Sequence, residues 1–149
     1  MDLVDVAALK AQWTGFSFDR SEFEVRQEDT LAFARACGEQ DPRFLEPAHP
    51  EFQAPPTFPA RFVSRQVLPK GFPRIGRGMF DAGKCVFPKA PIRPGETLVA
   101  HSRIEDLYEK TGRSGPMIFL VHRMEFENPR QQPISVVDWR LVLTAGAVR

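Results

Sequence analysis

The chain has 149 residues, 42% of them hydrophobic and 26% charged, which is the size and composition of one globular domain. The formal net charge of +1 excludes the basic surplus typical of a nucleic-acid-binding protein. No apolar run approaches the roughly 20 residues that a membrane span requires. We therefore expect residues 1–149 to form a single soluble domain, with residues 1–14 as a helical N-terminal extension.

The cysteines and the first residues indicate the compartment. The two cysteines are Cys37 and Cys85, and the sequence starts Met1-Asp2-Leu3-Val4-Asp5. This start is acidic and lacks the basic-then-apolar order of an export signal. A reduced cysteine pair and a cytoplasmic location are the expectation.

The first half of the chain predicts two helices around a strand. Apolar residues at helical spacing predict a helix over Asp2 to Trp13, and phenylalanines with Val25 predict a strand over Ser21 to Arg26. A second helix is expected from Gln27, because two acidic residues follow in its first turn, where the helix dipole favours them. Gly38 is a suitable residue to end that helix.

A proline-rich stretch from Cys37 to Phe62 follows. It holds Phe44, Phe52 and Phe58, too many large apolar groups for a free linker, so a long ordered loop packed over a core is predicted. The abundance of phenylalanine, 13 against 1 tyrosine, favours an apolar core or tunnel, because phenylalanine buries area without needing a hydrogen-bond partner. Ala60, Phe62, Val63 and Val67 predict a further helix over Pro59 to Leu68.

The second half predicts strands. Alternation of apolar and polar residues marks Met79 to Pro88, Thr97 to Tyr108, Met117 to Glu127 and Ile134 to Thr144. The last three are long and are joined by short turns, which indicates an antiparallel meander. Helices early and strands late indicate an α+β fold.

The three histidines, His49, His101 and His122, suggest no metal site, because no third ligand accompanies any pair of them. A satisfied or exposed structural histidine is the favoured interpretation for each. His122 differs in that it interrupts an apolar strand face. A buried imidazole there needs a partner, or it lines a pocket.

Several stretches together resemble one known family. They are the run Phe33 to Phe44, the sequence Ala54-Pro55-Pro56-Thr57-Phe58, and the segments Pro91 to Leu98 and Tyr108 to Phe119. Their order and spacing are similar to the N-terminal domain of MaoC-type dehydratases, over a region from about Gly15 to the end of the chain. The resemblance implies a hot-dog fold, in which an antiparallel sheet wraps a central helix, here placed at Pro59 to Leu68. It also implies hydration or dehydration of acyl thioesters carried on CoA or acyl carrier protein, with no further cofactor.

The chain departs from the family where the chemistry is expected. Catalytic members resemble Gly-Asp-x-Asn-Pro-x-His, in which Asp and His position and activate water. Here Glu39, Asp41 and Phe44 stand at the Asp, Asn and His positions. Because phenylalanine cannot transfer a proton, the chain resembles the non-catalytic branch, the partner half of a two-hot-dog hydratase or dehydratase.

Other roles for the loop stay open. Glu39, Asp41 and His49 are candidate catalytic residues, although loop acids that cap backbone amides are the favoured interpretation of the two carboxylates. Pro56, Thr57 and Phe58 form a stretch that either guides the loop or presents a proline-rich recognition motif. By resemblance this stretch lies near the tunnel entrance or the dimer seam, which makes its residues, with Phe44 and His122, candidates for substrate binding.

Three functions remain in view. The first is an acyl-cradling subunit that works with a catalytic MaoC-type subunit. The second is a self-sufficient homodimeric hydratase or thioesterase with a modified site, and the third is a non-enzymatic acyl-CoA-binding protein. An exposed sheet edge favours a dimer, either with itself or with the catalytic subunit.

Overall fold

Five strands form the body of the molecule, which a computed structural model describes over residues 4–76, 78–113 and 115–144. The helices are α1 (Val6–Trp13), α2 (Gln27–Ala36) and α3 (Pro42–Leu45), and one 3-10 helix covers Phe58–Arg61. The strands are β1 (Ser17–Glu24), β2 (Gly78–Pro88), β3 (Thr97–Gly112), β4 (Gly115–Glu127) and β5 (Pro133–Thr144).

The strands form one antiparallel sheet in the order β1-β3-β4-β5-β2. The meander β3-β4-β5 lies at its centre, as the alternation predicted. In β3 and β4 the inward positions are fully or almost fully buried: Leu98, Ala100, Ser102 and Ile104 on β3, and Ile118, Leu120, His122, Met124 and Phe126 on β4. The predicted apolar faces of these two strands are therefore confirmed.

The helices differ in how well the sequence predicted them. Helix α2 starts at Gln27 as expected, and Gly38 follows its C-cap Cys37 with a φ of 73°, a left-handed conformation that glycine adopts at little cost. Helix α1 starts at Val6, where the Asp5 carboxylate caps it by accepting a hydrogen bond from the Ala8 amide at 2.9 Å. Asp2 and Leu3, at the start of the predicted helix, lie outside the described residues. The first strand lies at Ser17–Glu24, a few residues before the predicted range.

The predicted helix over Pro59 to Leu68 is wrong. Only the 3-10 helix Phe58–Arg61 forms, and residues 62–68, called the strap here, follow it without helical structure. The Lys84 ammonium, from β2, donates to the carbonyl oxygens of Ala60 and Phe62 at 2.7 and 2.9 Å. Because these carbonyls are satisfied by a distant side chain, the segment does not need helical hydrogen bonds.

The strap crosses the inner face of the sheet from one edge to the other. It starts beside Lys84 on edge strand β2, and its Arg65 amide donates to Ser21 Oγ on edge strand β1 at 3.1 Å. The Arg65 guanidinium also donates to the Arg20 carbonyl at 2.8 Å. The strap thus takes the place over the sheet that the sequence assigned to a central helix.

Two apolar clusters fill the space between the sheet and its cover. The first cluster gathers the aromatic side chains of the loop against one end of the sheet: Phe58, Phe62, Leu98, Met124, Phe126 and Val137 are among its members. The second cluster lies at the other end: Ile104, Leu107, Leu120, Leu141 and Leu143 are among its members, with Leu9 and Trp13 of α1 packed against it. Within the described ranges, no helix combines the length and apolar character needed to cross a bilayer.

Candidate functional site

The loop that carries the family resemblance uses its polar groups to hold its own shape. Asp41 is the N-cap of α3, and its Oδ1 accepts a hydrogen bond from the Arg43 amide at 2.9 Å. The Arg43 guanidinium also donates to both Asp41 carboxylate oxygens, at 2.6 to 3.2 Å. The hydrogen bond from the Arg43 side chain, with that from its amide, lowers the pKa of Asp41 below its ordinary value. Asp41 is therefore a charged capping residue.

The other two candidate catalytic residues of the loop are placed differently. His49 Nδ1 accepts from the Glu51 amide at 3.1 Å, which puts the proton of the neutral ring on Nε2. The Glu39 carboxylate is half-buried and makes no ion pair with any residue in the described part of the chain.

The aromatic and proline residues of the loop divide between surface and core. Phe44 is partly buried and lies under the Arg43 guanidinium, 5.6 Å from the ring centroid. Pro56 and Thr57 are exposed in the turn before the 3-10 helix. Phe58 is fully buried and packs edge-on against Phe33 and Phe62. The candidate substrate-binding residues of the loop therefore do not converge on one open surface.

A second group of polar side chains lies in the middle of the sheet, between the two apolar clusters. Ser102 on β3 and His122 on β4 are both fully buried, and Trp139 on β5 is the cross-strand partner of His122. The imidazole lies between the rings of Phe18 and Trp139, with centroids 5.1 and 6.0 Å away. We call Ser102, His122 and Trp139 the mid-sheet polar site.

Burial controls the ionisation of His122. Removal from water disfavours the charged ring and lowers the pKa of His122 to about 4. The imidazole is therefore neutral at physiological pH, with one N–H donor and one acceptor nitrogen. Its Nε2 lies 3.4 Å from Ser64 Oγ in the strap.

One atom of each residue in the mid-sheet polar site has no hydrogen-bond partner among the described residues. These atoms are Ser102 Oγ, His122 Nδ1 and Trp139 Nε1. A buried polar group left unpaired costs about 1–3 kcal/mol, so three of them at neighbouring positions of three adjacent strands are unusual.

Lys84 borders the same site from the edge strand. Besides its two bonds to the strap, its ammonium lies 4.7 Å from the centroid of the Trp139 ring, a cation–π contact. Burial lowers the pKa of Lys84, while the Asp81 carboxylate opposes that shift. The positive charge of Lys84 is therefore stabilised by two carbonyl oxygens of the strap region and by the face of the Trp139 ring.

The sequence singled out His122 but none of its neighbours. Ser102 stood out only as one inward position of an alternating strand, and Trp139 as one apolar residue of the last strand. Ser64 and Lys84 carried no signal, because their roles depend on the strap's path across the sheet. Within the described ranges, no group of three or more His, Cys, Asp or Glu side chains is placed to hold a metal ion, and Cys37 and Cys85 are both free.

Edge strand β2 carries exposed apolar groups. Met79, Phe80 and Phe87 have exposed fractions of 43%, 60% and 46%, and β2 pairs with β5 on one side only. Such an edge offers both backbone hydrogen-bonding groups and apolar surface.

Solved structures share this architecture. A chain of the C-terminally truncated HadBC complex, a (3R)-hydroxyacyl-ACP dehydratase from Mycobacterium tuberculosis, superposes with a TM-score of 0.64 at 20% identity, covering 87% of this chain and 96% of that one. The ChsH1-ChsH2 complex from the same organism gives 0.63 at 18% identity, with coverage of 97% and 91%. A MaoC-like dehydratase from Rhodospirillum rubrum gives 0.60 at 21% identity, with coverage of 91% and 94%.

The sheet order and these neighbours define the class, which is the hot-dog fold, and the predicted α+β hot-dog architecture is confirmed. A search of curated protein sequences finds no match. The family model described as FAS1-like, dehydratase domain region, matches residues 12–137, which is most of the chain. The chain belongs to this family of MaoC-like hot-dog hydratases and dehydratases, as its motifs predicted.

Proposed function

We propose that this chain is the acyl-thioester-binding subunit of an enoyl-thioester hydratase or 3-hydroxyacyl-thioester dehydratase. In this proposal it binds the acyl group of a CoA or acyl carrier protein thioester, and a separate MaoC-type hot-dog subunit supplies the catalytic Asp and His. The protein acts in the cytoplasm on a thioester and needs no other cofactor.

The observation that carries the proposal is the state of the motif loop. Phe44 occupies the motif position at which catalytic members of the family are expected to have a histidine. Its side chain cannot accept or donate a proton. Asp41, at the neighbouring motif position, already accepts three hydrogen bonds from the Arg43 side chain and one from the Arg43 amide. A carboxylate committed in this way is poorly placed to activate water.

An open pocket supports a role in acyl binding. It has a volume of about 350 Å³ and lies beside the second cluster. Its lining is mostly apolar and also includes one arginine: Leu68, Phe72, Arg74, Ile75, Met79 and Leu143 are among its residues. This volume lies within the range of small-molecule sites, and its apolar side chains suit a hydrocarbon tail.

Edge strand β2 supports a role in subunit pairing. Two similar solved structures, HadBC and ChsH1-ChsH2, are complexes. Pairing of β2 with the edge of a second hot-dog sheet would satisfy its free backbone groups and cover Phe80 and Phe87. Phe80→Lys should therefore abolish co-purification with the partner. Phe16→Lys is the control and should not, because Phe16 is also exposed but lies next to β1, at the opposite edge of the sheet.

The test of the proposal is a hydration assay with crotonyl-CoA. The purified chain alone should show no turnover, and activity should appear when a MaoC-type subunit with an intact Asp and His is added. Glu39→Gln and Asp41→Asn should leave the activity of the pair unchanged. Turnover by the chain alone that Glu39→Gln abolishes would refute the proposal. Binding of crotonyl-CoA with no turnover under either condition would indicate a non-enzymatic binding protein.

A second candidate function is a self-sufficient homodimeric hydratase or thioesterase. The observation that favours it is that Asp41 and His49 lie in the same loop, whose backbone is held together by the hydrogen bond from the Gln53 amide to the Arg43 carbonyl at 3.0 Å. In that case the chain alone is active, and His49→Gln lowers kcat strongly while Phe44→Leu does not.

A further inference from the structure

The two edge strands of the sheet carry different side chains. On β2 the exposed groups are apolar, with Phe80 and Phe87 among them. On β1 the Arg20 guanidinium pairs with the Glu22 carboxylate at 2.6 Å, and both side chains are more than half exposed. Charged side chains on an edge strand oppose pairing with a further strand, whereas exposed apolar groups favour it.

Irregular pairing does not distinguish the two edges. The register of β1 against β3 shifts between Ser17 and Asp19, and the register of β2 against β5 shifts between Asp81 and Lys84. Both strands therefore have the kind of irregularity that a β-bulge produces at a sheet edge. The difference between the edges lies in what covers them.

The strap covers the middle of β1. The Ser21 hydroxyl donates to the Asp19 carboxylate, so its oxygen is free to accept, and it accepts from the Arg65 amide at 3.1 Å. The Arg65 guanidinium donates to the Arg20 carbonyl at 2.8 Å and lies 4.0 Å from the buried Asp19 carboxylate. A carbonyl that accepts from the strap is not available to a further strand.

Strand β2 has no equivalent cover. Among the described residues, no side chain from outside the sheet donates to a β2 carbonyl; Ser135, which donates to the Phe87 carbonyl, belongs to β5. Lys84 does reach toward the strap, but there the acceptors are the carbonyls of Ala60 and Phe62. The contact between β2 and this segment therefore uses a side chain of β2 and leaves the backbone of its edge uncovered.

We propose that the strap closes edge β1 and thereby limits assembly to one partner, a second hot-dog sheet that pairs along β2. A subunit with two free edges pairs at both, so assembly continues, whereas a subunit with one closed edge stops at a pair. Once the contacts of Arg65 are removed, β1 pairs with the β1 edge of a second copy of this chain. This proposal rests on the proposed function for the pairing at β2 and adds to it the reason why assembly stops there.

The experiment measures the mass of the intact chain in solution by light scattering over a wide range of protein concentration. The wild-type chain should not exceed a pair. The double variant Ser21→Ala with Arg65→Ala loses both the acceptor of the strap amide and the guanidinium, and its mass should rise with concentration to about twice that of a pair or more. Circular dichroism checks that the variant keeps its sheet.

Two further variants make the result specific. Arg61→Ala is the matched control, because Arg61 lies just before the strap and pairs with Asp29 at 3.2 Å, away from β1, so the mass should stay that of the wild type. Phe80→Lys added to the double variant should bring the mass back to a pair held through β1, which non-specific aggregation would not do. If the double variant does not fold, Arg65→Ala alone, which keeps the bond between Ser21 and Asp19, gives the same test with a smaller rise in mass.

The outcomes separate this proposal from the proposed function. A folded double variant with the mass of the wild type overturns the closure of β1, and so does a wild-type chain that grows beyond a pair. In either case the hydration assay with a catalytic subunit still decides the proposed function. A double variant that stops at a pair with and without Phe80→Lys supports the closure of β1 and rejects pairing along β2.

Discussion

The motif loop and the mid-sheet polar site are two polar regions with opposite properties. In the loop, Asp41 and His49 are satisfied by groups only two residues away in the sequence, and they lie at or near the surface. In the middle of the sheet, Ser102 and His122 are fully buried, and each keeps an atom with no described partner. In the loop, polar side chains therefore form hydrogen bonds that hold the loop itself in shape. In the interior, some polar atoms have no hydrogen-bond partner among the described residues.

The residues that indicate the family are therefore different from the residues whose polar atoms are unpaired. The loop carries the motif on which the family resemblance rests, and one residue of that motif, Asp41, caps a short helix. The interior carries no motif, yet it has the one strongly perturbed imidazole in the described part of the chain. Burial is the main cause of this shift, whereas the lowered pKa of Asp41 in the loop comes from the hydrogen bonds that Arg43 donates.

The largest expected effect concerns His122 and pH. Its pKa of about 4 in the folded protein lies below the ordinary value of 6.5, so the unfolded chain binds more protons between these values. Stability from this group is fully present above pH 6.5 and falls as the pH drops, by about 3 kcal/mol at pH 4. Urea denaturation at pH 7 and pH 4 should show this loss in the wild-type protein, with a smaller loss in His122→Phe. Identical pH dependence in both proteins would mean that the ring is solvated.

A smaller effect is expected from Lys84→Met. The substitution keeps the length of the side chain but leaves the carbonyls of Ala60 and Phe62 without their donor. Loss of about 2 kcal/mol of stability is expected, since hydrogen bonds to a charged group contribute about 1.5–3 kcal/mol and the site is partly solvated. Lys89→Met, one residue beyond the end of β2 and exposed, is the control and should change stability little. Equal effects of the two variants would show that the strap is held by other contacts.

Ser102→Ala should act in the opposite direction. Because the Ser102 hydroxyl is buried without a described partner, its removal should leave the free energy of unfolding unchanged or raise it by about 1 kcal/mol. The control is Ser135→Ala, where a buried hydroxyl donates to the Phe87 carbonyl at 3.4 Å, and a slight loss is expected. A loss from Ser102→Ala larger than that from Ser135→Ala would mean that the hydroxyl is satisfied.

The smallest effect belongs to Asp41. Its pKa is lowered by Arg43, so the folded state favours the charged form, and the stability it adds is present above the ordinary carboxyl pKa and is lost as the pH falls through the lowered value. Asp41→Ala should therefore destabilise the protein more at pH 7 than at the lowest pH at which the wild-type protein stays folded, as measured by thermal unfolding. A variant equally destabilised at both pH values would indicate a role other than the charged cap.

The sheet was predictable because its signal is local. Alternation along β3 and β4 identified the buried face, and Gly38 marked the end of α2. The strap was not predictable, because Ala60, Phe62, Val63 and Val67 have helical spacing. The hydrogen bonds that replace those of a helix come in part from the distant Lys84. The mid-sheet polar site was predicted only through His122, since the pairing of strands that brings Ser102 and Trp139 beside it is a property of the register.

Strand β2 takes part in two features of the molecule, the free edge of the sheet and the attachment of the strap. Its free edge faces the position proposed for a second subunit, while Lys84 on the same strand ties down the cover of the interior. If a second subunit displaced β2 as it bound, the ammonium of Lys84 would be one contact through which the strap follows. Assembly and ligand entry would in that case be energetically coupled, and the coupling would be reciprocal: a partner that eases entry would itself be bound more tightly once the ligand is inside.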